Sequence, residues 1–229
     1  MLDYNAASVA PNVSIFRSAI RSRYGYTASN HGIYGCIAVN MPAGYFGFLF
    51  GSDAGGVAKD CVAIDCPIEG FGLDNDGAVM ATIDKLSAFN CTTGSSMNQD
   101  ATTNSLFYNS GGNSLSGASS YNQFYNSGST IGSNAITTDP GVLYPVRVES
   151  GSTGYGTGSG GSNRGADVLN RYENGILTAT PLWPWPNEDR IKTDMQDDFG
   201  HTGDAFRGFC INSNALDGNP MTLTRYIWE

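Results

Sequence analysis

An amide-type residue returns down this chain at Asn40, Asp65, Asn90, Asn109 and Asn126, with gaps of 25, 25, 19 and 17 residues. Each ends a short run of similar chemistry: Cys36-Ile37-Ala38-Val39-Asn40, Cys61-Val62-Ala63-Ile64-Asp65, Leu86-Ser87-Ala88-Phe89-Asn90, Phe107-Tyr108-Asn109 and Phe124-Tyr125-Asn126. One such run cannot bury its own apolar face, whereas stacked copies can. The pattern predicts short parallel strands rich in Val, Ile, Phe and Tyr, with Gly, Asn and Asp between them. In-register stacking puts like on like, so Asn40, Asn90, Asn109 and Asn126 are expected to bond one another in a buried column. Asp65 departs from that column and is expected to be protonated, turned to solvent or paired with a cation.

Alignment at the 25-residue period matches Gly44-Tyr45-Phe46-Gly47-Phe48 with Glu69-Gly70-Phe71-Gly72-Leu73, and Met41-Pro42 with Cys66-Pro67. The segment Val13–Ile20 reads as an earlier strand-bearing copy or as a helical cap, since Ile15, Phe16, Ala19 and Ile20 also fit one helix face. Charged residues make up only 14% of the chain and glycines number 30, a composition that suits tight turns and suits helices poorly. The net charge of −9 argues against nucleic acid and anionic membranes as main partners. No apolar run has the length of a membrane span, and Met1–Asn5 lacks the marks of a signal peptide. The chain is read either as a whole or as the C-terminal part of a longer one.

Five cysteines do not make a disulfide scaffold. The pairs Cys36/Cys61 and Cys66/Cys91 each span 25 residues, which stacks them about one strand spacing apart, roughly 4.8 Å. That distance admits a disulfide, and it equally admits two stacks of buried, reduced thiols.

These features resemble the right-handed parallel β-helix of the pectate-lyase-like superfamily over roughly residues 13–140. The resemblance implies an all-β solenoid of about five to seven coils over residues 1–140. Residues 141–229 then form a last strand, a Gly-rich loop and a C-terminal cap with short helices. Within that part, Gly151–Gly161 reads as a flexible linker or as an ordered loop laid against the coils. Arg164–Leu169 resembles a final strand. A helix is expected over 188–198 behind Asn187, and another near Thr222 or Thr224. Trp183, Trp185, Tyr226 and Trp228 read as a cover for the open end or as a sugar-stacking platform. The tail is similar to bacterial β-helix repeat proteins of unassigned activity.

Enzymes of that superfamily work with acidic residues, Ca²⁺ and a basic proton acceptor, or with paired carboxylates. The resemblance therefore directs attention to Asp74, Asp76, Lys59 and His31 as catalytic candidates, with Asp84 and Lys85 nearby. Asp53, Asp74 and Asp76 are the Ca²⁺ candidates, because Asp74-Asn75-Asp76-Gly77 is an oxygen-rich turn. An ordinary Asx/Gly turn explains the same residues. The expected function is extracellular or cell-surface polysaccharide binding or degradation, as a lyase-like or hydrolase-like protein. The alternative is a non-catalytic structural protein, such as an adhesin, a tailspike-like piece or a filament subunit, with end-to-end or side-by-side self-association.

Overall fold

The computed structural model describes residues 100–173 and 175–183 without a break. It also describes residues 32–98 apart from positions 40, 42–45, 52–55, 75–79 and 81, and four short strands before residue 32. In chain order the strands are β1 (Leu2–Asp3), β2 (Val9–Pro11), β3 (Ser14–Phe16), β4 (Ile20–Arg21), β5 (Gly32–Tyr34), β6 (Ile37–Val39), β7 (Phe48–Gly51) and β8 (Val57–Ile64). They continue as β9 (Glu69–Asp74), β10 (Thr82–Phe89), β11 (Thr93–Ser95), β12 (Thr102–Thr103), β13 (Leu106–Tyr108), β14 (Gln123–Tyr125), β15 (Asn170–Glu173) and β16 (Ile176–Pro181).

Three sheets result: a five-stranded one ordered β1-β4-β7-β9-β11, a nine-stranded one built on β14-β13-β10-β8-β5-β2, and the two-stranded antiparallel β15-β16. This overturns the expected right-handed parallel β-helix of the pectate-lyase-like superfamily with a helical cap. The architecture is an all-β domain with mixed parallel and antiparallel sheets. The described residues carry no α-helix, only a 3₁₀ turn at Ser159–Gly161. The physical reason lies after residue 140. The Gly/Ser-rich stretch turns back onto the large sheet, and β15 and β16 pair with each other. Arg164–Leu169 is irregular rather than a strand, while residues 14–16 and 20–21 are strands rather than a helix.

Register in the large sheet follows the sequence spacing. Ile37 faces Val62, Val62 faces Ser87, Ser87 faces Leu106 and Leu106 faces Gln123. In the small sheet the 25-residue alignment is off by two, since Phe48 faces Phe71 and Phe50 faces Leu73. A two-residue shift keeps every side chain on its face. It brings the Phe48 and Phe71 rings to 5.3 Å and sets Gly47 beside Gly70, where a Cβ would stand 2.6 Å from the Gly70 carbonyl oxygen. The core is filled by Ala38, Ala63, Ala88, Phe107 and Phe124 from the large sheet and Phe48, Phe50 and Phe71 from the small one.

The amide column has a cause other than the expected one. Asp65, Asn90, Asn109 and Asn126 have φ of 53°, 53°, 47° and 47°. Asn and Asp tolerate this left-handed conformation better than other non-glycine residues. Asn90 Nδ2 donates to Asp65 Oδ1 at 3.3 Å and Asn126 Nδ2 to Asn109 Oδ1 at 3.0 Å, but these side chains lie at the surface. The column marks backbone corners rather than a buried ladder; Asn40 lies outside the described residues.

A second row of left-handed corners runs through Gly35, Asp60, Lys85, Asn104, Tyr121 and Asn134. The residue after a corner commonly points inward and carries a thiol or hydroxyl. Cys61, Cys91, Ser105, Ser110 and Ser127 each donate to the carbonyl two residues earlier, at 3.4, 3.4, 2.9, 3.1 and 3.4 Å. Serine oxygens also serve the neighbouring row, as Ser105 Oγ accepts from Leu86 N and Ser110 Oγ from Cys91 N. Backbone groups turned aside at a corner thereby find partners. Cys36, Cys61, Cys66 and Cys91 are buried free thiols filling these corner positions.

The chain forms two compact units, Met1–Ala179 and Thr180–Glu229. Only residues 180–183 of the second unit are described. The expected helices over 188–198 and near Thr222, and Trp185, Tyr226 and Trp228, lie outside the described residues. No helix among the described residues is long and apolar enough to cross a membrane.

Candidate functional site

Charge is scarce in this chain, so a concentration of it is informative. Lys59, Asp60, Asp84, Lys85, Asp167 and Tyr172 meet where the second corner row passes under residues 141–173. β8 and β10 lie in register with Lys59 opposite Asp84, and the left-handed turns at Asp60 and Lys85 follow directly. Lys59 Nζ stands 3.8 Å from Asp84 Oδ2. The other oxygen, Asp84 Oδ1, accepts from Asn104 Nδ2 at 2.8 Å and Thr103 Oγ1 at 3.0 Å.

Asp60 is 2% exposed. Its Oδ1 accepts from the Asp167 backbone N–H at 3.2 Å, and its Oδ2 accepts from the Tyr172 hydroxyl. Burial pushes the Asp60 carboxyl up to about 6, against the lowering influence of Lys85 and of its two hydrogen bonds. Burial, followed by the adjacent Asp60 charge, pushes the Tyr172 hydroxyl well up, so it stays a proton donor. The Tyr172 ring packs on Tyr34 with centroids 5.2 Å apart.

The segment over this cluster is ordered, which resolves the two readings of the Gly-rich stretch in favour of the packed loop. Ala166 N donates to Ser87 Oγ at 2.8 Å and Gly165 N to Asn104 O at 2.7 Å. Gln123 Nε2 reaches Thr153 Oγ1 at 2.8 Å, and buried Arg164 donates from Nη1 to Asn122 O and Asn134 O at 3.1 and 2.7 Å. Val146, Val148, Ala166 and Val168 are buried in the same segment, while Ser87, Leu106 and Gln123 are buried on the sheet.

A general acid or base must come within hydrogen-bond reach of its substrate. Asp60 does not, because it is buried with both oxygens engaged. The cluster is arranged as a clamp between the sheet and the covering segment.

Beside the cover, the sheet surface presents a second feature. Ile64, Phe89, Tyr108 and Tyr125 face one another along the rows, with ring centroids 5.6 Å apart for Phe89–Tyr108 and 5.3 Å for Tyr108–Tyr125. Tyr108 and Tyr125 are half-exposed, next to exposed Asn90, Asn109 and Asn126. Asp139 lies close enough to Tyr125 for its charge to push that hydroxyl up.

Of the residues singled out from sequence, Lys59, Asp84 and Lys85 come together in the clamp. Asp74 belongs to β9 of the small sheet, opposite Gly51, whereas Lys59 belongs to the large sheet. His31, Asp53 and Asp76 lie outside the described residues, as does the side chain of Asp74. Among the described residues no three His, Cys, Asp or Glu side chains are grouped to hold a metal ion. Sequence reasoning missed Asp60, Asp167 and Tyr172. The signal for Asp60 was present, since Asp60-Cys61 repeats the corner dipeptide seen in Asp65-Cys66 and Asn90-Cys91. Asp167 and Tyr172, 107 and 112 residues away, carry no local signal. No family model matches the chain, and neither a curated protein nor a solved structure does.

Proposed function

We propose that this is an extracellular polysaccharide-contact protein that holds a neutral glycan without cleaving it. The observation that carries the reading is the surface stripe of Tyr108 and Tyr125 beside Asn90, Asn109 and Asn126. Such a stripe offers ring surface for sugar C–H groups and amides that both donate and accept for hydroxyls. Its parts repeat at strand spacing, as the units of a polymer repeat. The net charge of −9, with Asp65 and Asp139 near the stripe, favours an uncharged chain over an acidic one. Binding without cleavage agrees with the engagement of both Asp60 oxygens inside the fold.

Affinity electrophoresis through gels containing neutral or acidic polysaccharides tests this reading. Retardation by at least one neutral glycan, without new reducing ends or unsaturated products, is expected. Migration unaffected by every neutral polymer would overturn it, and product release would overturn the non-catalytic part.

A further inference from the structure

The covering segment and the clamp beneath it carry a consequence independent of any glycan. Residues 141–173 fold back over the outward face of the large sheet, held by hydrogen bonds and by burial of Val146, Val148, Ala166 and Val168. Gly165 N to Asn104 O, Ala166 N to Ser87 Oγ, Gln123 Nε2 to Thr153 Oγ1 and the Arg164 guanidinium hold the middle. Asp60 holds the far end through the Asp167 amide and the Tyr172 hydroxyl. Glycines at 151, 154, 156, 158, 160, 161 and 165 make the segment costly to order. A segment that is costly to order and tied down by named hydrogen bonds opens more readily when one of those ties is weakened.

We propose that residues 141–173 are a pH-sensitive cover, held over the sheet by Asp60 and loosened when that carboxylate becomes charged. The charged and titratable groups around Asp60 come from four elements. Lys59 and Cys61 flank it on β8, Asp84 and Lys85 lie on β10, Asp167 belongs to the cover, and Tyr172 on β15 stacks against Tyr34 of β5. Lys85 and the two donors favour the charged form, while burial and Asp167 oppose it; burial dominates.

With the cover open, the Asp60 carboxyl returns toward the ordinary value of about 3.9. Closed, it titrates at about 6. The closed form therefore binds the proton more tightly, and the opening constant rises by up to about 100-fold as pH climbs through this window. Opening uncovers Ser87, Leu106 and Gln123 beside the Tyr108–Tyr125 stripe, widening the sheet surface on offer.

Amide hydrogen exchange on the whole chain tests the proposal, read at Gly165, Ala166 and Asp167 and referenced to Phe107 and Phe124 in the sheet. After correction for intrinsic rates, cover protection should fall at least about tenfold between about pH 4.5 and about pH 7.5, while sheet protection holds. Asp60→Asn, which suits a left-handed corner, should make cover exchange independent of pH. Asp84→Asn should keep the response. Constant cover protection in the parent would overturn the proposal, and so would an undiminished response in Asp60→Asn or its loss in Asp84→Asn alone.

Discussion

Tyr172 donates its hydroxyl proton to Asp60 across 112 residues of sequence, tying β15 to the second corner row of the large sheet. Neither partner is exposed, so neither can exchange the contact for water without movement. Tyr172→Phe keeps the ring against Tyr34 and leaves a buried carboxylate oxygen short of a donor. The expected loss is about 1–3 kcal/mol in chemical denaturation. An unchanged midpoint would show that the contact does not stabilise the fold.

The pH dependence of stability has a definite sign. Burial raises Asp60 to about 6, and burial moves buried Asp100 in the same direction. The folded state therefore holds these protons more tightly than the unfolded chain. The Asp60 contribution is fully present below about pH 4 and is lost as pH rises through about 6, at most about 3 kcal/mol. Denaturation at about pH 4.5 and about pH 7.5 should show that the parent loses more stability over this interval than Asp60→Asn does. Equal slopes would contradict the assignment.

The corner cysteines behave as heavier serines. Ser105, Ser110 and Ser127 occupy the same kind of position as Cys61, Cys66 and Cys91. Cys66→Ser should cost less than Cys66→Val, by about 1 kcal/mol or more, because only serine keeps a donor for the Ile64 carbonyl. The hydrogen bond with the Cys91 thiol and then burial push the Cys66 thiol up, and burial does the same at Cys61. Of five cysteines, four are buried free thiols, so the native protein should consume no more than one equivalent of alkylating reagent until it unfolds.

Much of the large sheet was legible because its strands are short, apolar and closed by a residue with a backbone role. The spacing from Val62 to Ser87, Leu106 and Gln123 is the observed register. The physical role of the amide was misread, since a recurring Asn marks a left-handed corner as readily as a side-chain ladder. The small sheet was misaligned by two residues, because alternating Gly and Phe score alike at either offset, and only packing of Phe48 on Phe71 decides. The architecture after residue 140 was not legible. The cover is held by Asp60, Ser87, Asn104 and Gln123, which meet their partners over separations from 30 to 112 residues. Lys59, Asp84 and Lys85 stood out as charges in a chain with few, but charge alone did not show that they build a clamp.

The close approach of β9 to β11 has its own test at Gly70. A Cβ there would stand 2.9 Å from the Gly94 carbonyl oxygen and 3.1 Å from the Ala88 Cβ. Gly70→Ala should therefore destabilise by about 1–3 kcal/mol through overpacking against backbone. A Gly70→Ala protein as stable as the parent would show that the space beside Gly70 is open. Thermal melts of the two proteins distinguish these outcomes.

The reading of this protein as a glycan-contact surface rests on Tyr108 and Tyr125. Titration calorimetry with a neutral polysaccharide that retards the parent, against Tyr108→Ala/Tyr125→Ala, tests it most directly. Both rings are half-exposed, so the double variant should stay folded by circular dichroism. The account predicts at least about tenfold weaker binding, as expected when ring surface is removed at two positions. A folded double variant that binds as tightly as the parent would contradict it.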